Sequence, residues 1–196
     1  MKEIVILGTG KGWEGAPEDK ETWAIAKAVC KKEYKKRSDM LFCMDYVDEM
    51  TSFEKGGEYW AGYTKEHFIE KVNETGAPFV TSRKYPLIPQ SIEFPLKEIS
   101  EKFGIMYYTN TICYMIAYAM HLGVDAIDLW GVNQQGQMEY IMERKGVEFW
   151  LGLAAGTGVR VEVCGPSPLL HSDRLVYGYK KTEQELEQEY GIWKNQ

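Results

Sequence analysis

Short apolar runs alternate along this chain with longer amphipathic or polar segments. Continuous apolar runs closed by glycine or a polar residue are typical of strands buried on both faces of a sheet. The predicted strands are Ile4–Leu7, Met40–Met44, Pro78–Thr81, Ala126–Trp130 and Val159–Cys164. The predicted helices between them are Lys20–Tyr34, Lys65–Glu74, Leu96–Phe103, Ile112–Leu122 and Met138–Ala155. This order predicts an α/β fold: a three-layer, Rossmann-like domain with a mainly parallel sheet and helices on both faces.

The last part of the chain differs from the rest. From Lys180 onward it is charged, with Leu186, Tyr190 and Trp193 at helical spacing. We therefore predict one Rossmann-like domain over residues 1–179 and a helical extension over 180–196. The apolar stripe of the extension needs a surface to bury it, either on the same domain or on a second subunit of a homo-oligomer. Measuring the mass in solution after deletion of residues 180–196 shows whether the stripe holds subunits together.

Composition and charge narrow the range of functions. Of the 196 residues, 44% are apolar and 27% charged, as in globular rather than disordered proteins. The net charge of −6 disfavours a broad nucleic-acid-binding face, which needs an excess of Lys and Arg. No apolar run is long enough to span a membrane, and the N-terminus enters a strand pattern directly. We therefore expect a cytoplasmic protein that does not enter a membrane.

The cysteines are widely spread along the chain, without a C-x-x-C pair and without a nearby histidine cluster. This spacing argues against a zinc site and against a disulfide framework, and it favours reduced thiols used as small core residues. The sequence thus predicts no metal site and leaves any cofactor unidentified.

The loop after the first strand is rich in glycine. It reads Gly8-Thr9-Gly10-Lys11-Gly12. Glycines allow backbone N–H groups to approach an anion closely, and Lys11 adds a point charge suited to a phosphate. The loop matches neither the dinucleotide-binding nor the Walker A pattern, because Trp13 replaces the last glycine of the first and Gly12 follows Lys11 in the second. Close packing of the chain at this turn explains the glycines equally well.

A second candidate anion site is the segment Thr109-Asn110-Thr111, immediately before the predicted helix Ile112–Leu122. Such residues are favoured at helix N-termini, where their side chains satisfy unpaired N–H groups. The same unpaired N–H groups and the helix dipole suit a phosphate or a carboxylate. Because capping requires only one of the three residues, we predict that the segment binds an anionic ligand.

Further polar residues follow the predicted strands. Asp45 closes the Met40–Met44 strand, where a carboxylate can bind a ribose or act as a base. Asn133 follows the Ala126–Trp130 strand and can read a base or a sugar through its amide. His171 lies near the end of the domain and is a second candidate for acid–base chemistry. Asp45 and Asn133 are equally consistent with a solvated strand end and an ordinary polar turn, and a lone histidine at the rim of a domain is more often merely exposed.

Several stretches in combination resemble a known group of proteins. They are Ile6–Thr9, Ala16–Asp19 with Trp23, Phe94–Leu96, Tyr108–Met115, Leu129–Val132, Glu139-Tyr140, Val147–Gly152 and Ser167–Leu170. In this combination the chain resembles phage-encoded Rossmann-like proteins, a family mostly without assigned activities, over residues 4–179. More distantly, it is similar to bacterial sialyltransferases and to pterin-diphosphokinase-like proteins of surface-glycan loci.

The resemblance implies that the first turn and the Ser/Thr-rich helix start hold a nucleotide phosphate. It assigns this role to Gly8–Gly10 and Thr109–Thr111, and it implies the host cytoplasm as the location if the protein is phage-encoded. The chain departs from the family in two places. Lys11-Gly12 stands where the family usually has Pro-Ser, and Asn133 stands where an Asp is common. If that Asp is catalytic in the relatives, this chain binds its ligand without turning it over.

Three functions remain open. The leading hypothesis is a phage-type transferase that binds a nucleotide or nucleotide sugar and moves a glycosyl or phosphoryl group. Catalysis would come mainly from positioning and electrostatics, with Asp45 or His171 accepting a proton. The alternative is a non-catalytic protein that binds and sequesters a nucleotide. The third is an interaction module that oligomerises through residues 180–196.

Overall fold

A parallel sheet forms the centre of the computed structural model. The structure describes residues 1–31, 34–35, 37–47, 64–135, 138–170 and 176–191. Within these ranges the strands are β1 (Glu3–Leu7), β2 (Glu21–Ile25), β3 (Met40–Cys43), β4 (Phe79–Thr81), β5 (Ser91–Glu93), β6 (Ala126–Trp130) and β7 (Arg160–Cys164). All neighbouring strands run parallel, in the order β5-β4-β3-β2-β1-β6-β7.

Helices cover the sheet on both faces. They are α1 (Lys65–Thr75), α2 (Leu96–Phe103), α3 (Thr111–His121), α4 (Met138–Gly156) and α5 (Glu183–Tyr190). Residues of α2, α3 and α4 share one core with Ile4, Ile6 and Ile127 of the sheet. Residues of α1 and a 3₁₀ helix over Ala26–Cys30 share a second core on the opposite face. The predicted three-layer, Rossmann-like α/β fold is therefore confirmed.

The predicted helix Lys20–Tyr34 is wrong. Its first part is the strand β2, which pairs with β1 and β3 in the middle of the sheet, and its next part is the 3₁₀ helix Ala26–Cys30. A strand buried on both faces lacks the alternation of polar and apolar residues that marks a half-buried strand. Here the strand and the 3₁₀ helix follow each other directly, so their combined apolar positions imitate one amphipathic helix.

Strand β5 was also missed by the sequence prediction. It is a short strand at the edge of the sheet, and two of its residues, Ile92 and Glu93, are exposed. The prolines around it, Pro86, Pro89 and Pro95, gave a pattern typical of a connection rather than of a strand.

The order of strands changes direction at β1. From β1 the chain proceeds through β2, β3 and β4 to β5 at one edge, and then returns to β6 on the other side of β1. The connection from β1 to β2 and the connection from β6 to β7 therefore run toward opposite edges of the sheet. In open α/β sheets this switch point is where ligands bind.

The C-terminal segment contains α5. A capping box formed by Thr182 and Glu185 starts this helix, and Leu186 on its apolar side is buried, whereas Tyr190 is 57% exposed. Trp193, the last residue of the predicted stripe, lies outside the described residues. None of the described helices is both long and apolar enough to cross a membrane. Association through residues 180–196 stays a prediction.

We expect Trp23→Ala to lower the free energy of unfolding by about 3–5 kcal/mol, because it opens a cavity around a large buried side chain. Trp23 is fully buried at the centre of β2 and packs against Phe42 with ring centroids 5.5 Å apart. Urea unfolding followed by circular dichroism measures the change. Leu87→Ala is the control: Leu87 is 67% exposed, and its truncation should change stability by less than about 0.5 kcal/mol. Similar small effects of both substitutions would contradict the central position of β2.

Candidate functional site

A cleft of about 1080 Å³ opens at the carboxyl ends of the strands, beside the switch point between β1 and β6. It is lined by the loops after β1, β3, β6 and β7, by the 3₁₀ segment after β2, by the start of α3 and by the first turns of α4. The cleft brings together Gly8–Lys11, Asp45, Thr109–Thr111 and Asn133, all of which were singled out from the sequence. Gly12 is not among its lining residues, and His171 lies outside the described part of the chain.

Gly8 and Gly10 serve close packing between the loops after β1 and β6. Their N–H groups donate to the carbonyls of Trp130 (2.8 Å) and Gly131 (2.7 Å), so these donors are already used. A Cβ atom on Gly8 would lie less than 3.0 Å from the Gly131 carbonyl oxygen, and one on Gly10 less than 3.0 Å from Asn133 Oδ1. Of the two explanations of these glycines, the contacts therefore support packing.

The remaining residues of the first loop differ in their roles. Gly12 has φ +95°, which suits glycine, and a Cβ there would lie 2.7 Å from Pro166 Cδ. Thr9 accepts a hydrogen bond at its carbonyl from Lys31 Nζ. Lys11 is exposed at the cleft, so it is the residue of this loop that can approach an anionic ligand with a charge.

The start of α3 is tied to α4 by side-chain hydrogen bonds. Asn110 is the N-cap: its Oδ1 accepts from Cys113 N (3.2 Å), while its Nδ2 donates to Glu143 Oε2 (3.2 Å). Thr109 Oγ1 donates to the backbone carbonyl of Glu143 (2.7 Å). Thr111, the first helical residue, keeps its hydroxyl without a partner among the described residues. The segment thus consists of two residues that fix the helix start and of Thr111, which lines the cleft.

Gly146 allows α3 and α4 to approach this closely. It is buried inside α4, where glycine is unfavourable for helix formation. A Cβ at this position would lie less than 3.0 Å from Thr109 Oγ1. Glycine at this position therefore lowers the helix propensity of α4 but leaves room for the contact with Thr109.

Charged side chains of both signs line the cleft. Lys27 forms an ion pair with Asp45 across the ends of β2 and β3. Glu139 and Glu143 lie one turn apart on α4. Burial raises the pKa of the Glu143 carboxyl above its usual value; the hydrogen bond from Asn110 lowers this pKa, and the charge of Glu139 raises it.

Two buried amide oxygens in the loop after β6 lack partners among the described residues. They are Asn133 Oδ1 and Gln134 Oε1. Asn133 uses its Nδ2 to donate to the carbonyl of Pro166. Gln134 has φ +45°, a conformation that few residues other than glycine adopt. Unpaired acceptors and backbone strain both concentrate at functional sites, because a ligand can satisfy the former and the surrounding fold can hold the latter.

Cys43, whose thiol lines the cleft, lies in surroundings that disfavour its reactive thiolate form. Burial raises the pKa of Cys43 to about 12, so its thiolate is scarce at neutral pH. All four cysteines are free, and Cys30, Cys43 and Cys113 are buried, in agreement with their predicted use as small core residues.

Sequence reasoning missed Lys27, Tyr140 and Glu143, which line the cleft. Lys27 was assigned to a helix because β2 was missed, and only the end of β2 places it at the carboxyl edge of the sheet. Tyr140 and Glu143 fall within the predicted helix Met138–Ala155 and were assigned no role from the sequence. Their position in the first turns of the helix after β6, on the same side as Glu139, was the signal that could have placed them in the crevice.

Comparison of the sequence with family models and with curated proteins finds no match. The fold is similar to that of sialyltransferases. The sialyltransferase CstII from Campylobacter jejuni, in complex with the substrate analogue CMP-3FNeuAc, has 18% identity and a TM-score of 0.52, with 100% of both chains covered. CST-II in complex with a trisaccharide acceptor and CMP has 17% identity and a TM-score of 0.51, covering 97% of this chain and 99% of that chain. The predicted resemblance to bacterial sialyltransferases is thus confirmed for the fold, and the link to phage proteins stays a prediction.

We expect Gly146→Ala to destabilise the protein by about 1–3 kcal/mol, because the added methyl group displaces Thr109. Gly152→Ala on the same helix is the matched control, since a Cβ there meets nothing within 4 Å. It should instead stabilise the protein by about 0.5–1 kcal/mol through the higher helix propensity of alanine. Urea or thermal unfolding measures both. Equal stabilisation by the two substitutions would rule out the tight contact between α3 and α4.

Proposed function

We propose that this protein binds a nucleotide sugar in the cleft and transfers its glycosyl group to a hydroxyl acceptor. The observation that carries the proposal is the cleft itself, which lies at the switch point of a fold similar to that of sialyltransferases. Structures of these neighbours record CMP, CMP-3FNeuAc and a trisaccharide acceptor as their ligands. The cleft volume of about 1080 Å³ is large enough for a nucleotide with an attached sugar.

The start of α3 is the proposed phosphate site. The N–H groups of Thr111 and Ile112 have no acceptor within the helix, and the helix dipole favours negative charge there. The unpaired hydroxyl of Thr111 adds a donor. Lys11, an exposed residue of the loop after β1, supplies a positive charge. Together these groups suit the phosphate of the nucleotide sugar. This phosphate is already negatively charged in the bound substrate, and its negative charge increases when its bond to the sugar breaks.

The loop after β6 is the proposed site for donors of the ligand. Asn133 Oδ1 and Gln134 Oε1 are acceptors without partners among the described residues, so they match N–H or O–H groups. A cytosine amino group and ribose hydroxyls are donors of this kind. A ligand that satisfies both oxygens removes the cost of leaving buried acceptors unpaired.

The transfer step requires a proton acceptor near the sugar. The oxygen of the acceptor hydroxyl forms a bond to the anomeric carbon, and the bond from this carbon to the phosphate oxygen breaks. The nucleoside phosphate leaves with the electron pair, and a base takes the proton of the hydroxyl. Asp45 is the proposed base within the described residues, held at the cleft by Lys27. His171 remains the second proposed base.

Sequestration of a nucleotide without turnover is the second proposed function. Asn133 favours it, because an amide cannot take the acid–base role of the Asp that is common at this place in the resembling family. The carboxylates of Asp45, Glu139 and Glu143 in the same cleft favour transfer instead, since each can accept a proton.

We expect CMP and a CMP-linked sugar to bind, and Lys11→Ala to weaken binding about tenfold, as for the loss of one charged contact to phosphate. Isothermal titration calorimetry measures the affinity, and mass spectrometry of the products detects transfer to saccharide acceptors. Lys84→Ala is the control, because Lys84 is exposed and does not line the cleft. The affinity of the Lys84→Ala variant for CMP should equal that of the unmodified protein.

Three outcomes discriminate between the functions. Binding with formation of CMP and a glycosylated acceptor supports transfer. Binding with the ligand recovered unchanged after prolonged incubation with acceptors supports sequestration. Absence of binding across a panel of nucleotides and nucleotide sugars would refute both.

A further inference from the structure

Glu143 is the carboxylate most closely connected to the start of α3. Its Oε2 accepts from Asn110 Nδ2 at 3.2 Å, and its backbone carbonyl accepts from Thr109 Oγ1 at 2.7 Å. Asn110 in turn caps α3 through the N–H of Cys113. Both residues that position the helix start are therefore held by Glu143. Its side chain is half-buried and lines the same cleft as Thr111.

The charges around Glu143 are mostly negative. Glu139 lies one turn earlier on α4, and Asp45 faces it from the end of β3. Lys27, on the 3₁₀ segment after β2, opposes them but is already paired with Asp45. Lys11, from the loop after β1, is a second cation that lines the cleft. Burial raises the pKa of the Cys113 thiol on α3, so this thiol stays neutral and adds no charge beside Glu143. Burial and the charges of Glu139 and Asp45 all favour the neutral form of Glu143.

An anion at the start of α3 adds a further negative charge beside this carboxylate. Two negative charges that share a partly buried site disfavour each other, and the cheaper way to remove the repulsion is to protonate the carboxyl group. Binding and protonation are then linked: the anion favours the proton, and the proton favours the anion to the same extent.

We propose that Glu143 takes up a proton when an anionic ligand occupies the start of α3, and that it thereby couples ligand affinity to pH. The inference rests on the proposed function, because it places the ligand's phosphate at this helix start. Glu143 is then a positioning residue whose protonation state depends on whether the site is occupied.

Protonation leaves the helix start intact. A neutral carboxyl group still offers its carbonyl oxygen to Asn110 Nδ2, so Asn110 continues to cap α3. Only the charge beside the ligand disappears. The affinity for the anion is therefore full below the pKa of Glu143 in the free protein, and it falls as the pH rises through the pKa values of the free and then the bound state.

Glu143→Gln separates charge from shape. Glutamine keeps an oxygen that accepts from Asn110 Nδ2, but it carries no charge at any pH. We expect E143Q to bind CMP about tenfold more tightly than the unmodified protein at high pH, because the neutral amide does not repel the bound anion. The two proteins should converge at low pH. Glu101→Gln is the matched control, since it removes the same charge from an exposed position on α2.

Isothermal titration calorimetry at several pH values, in buffers of different ionisation enthalpy, measures affinity and proton uptake together. The titration of CMP itself is common to both proteins and cancels in the difference between them. The unmodified protein and E101Q should take up more protons on binding than E143Q does. Sulfate, which stays a dianion throughout, is the second probe and requires no variant.

The outcomes separate this inference from the proposed function. Binding of CMP with the same pH profile and proton uptake in the unmodified protein and in E143Q overturns the inference alone. If E143Q fails to fold, binding of sulfate to the unmodified protein without proton uptake overturns it. Failure of both CMP and sulfate to bind overturns the inference together with the proposed function.

Discussion

The structure depends on a contact between two loops that leaves no room for a side chain. At the switch point of the sheet, the backbone after β1 lies directly against the backbone after β6, joined by hydrogen bonds from Gly8 and Gly10. Gly131, on the other side of the contact, has φ +65°, and a Cβ there would lie 2.7 Å from Trp13 Cβ. This contact fills the space at the carboxyl ends of β1 and β6, whose onward connections run toward opposite edges of the sheet. The cleft above it takes its position from backbone atoms.

A second contact that fixes the position of the cleft, between α3 and α4, is made by polar groups. Thr109 and Asn110 bond to α4, and Gly146 provides the space. Hydrogen bonds in a partly buried place reinforce one another, and they orient the groups that they join more narrowly than apolar contacts do. The aromatic rings below, including the stacked pair Tyr108 and Trp150 at 5.2 Å, supply the apolar support. The direction of the start of α3 is consequently fixed by contacts within the protein.

The sequence predicted the elements whose patterns are unambiguous. The helix Leu96–Phe103 was predicted with the bounds that the structure shows, and Gly104 caps its end. A cap for α3 was expected among residues 109–111; it is Asn110, and the helix starts at Thr111, one residue earlier than predicted. Strand β2 could not be recognised, because burial on both faces removes the alternation on which recognition depends. The cleft could be located from strand ends, but the assignment of roles could not. Whether Gly10 meets a phosphate or Asn133 depends on distances between segments far apart in the chain, and the same holds for Glu143.

The glycine contact has a consequence for how such a protein can evolve. Because backbone atoms set the shape of the cleft, its shape persists when the side chains around it are exchanged. Lys11, Thr111 and Gln134 are among the residues that line the cleft. Substitutions at these positions can change which ligand is recognised without changing the floor of the site. A side chain at Gly8, Gly10 or Gly131, by contrast, would collide with the neighbouring loop and displace the backbone on which the cleft rests.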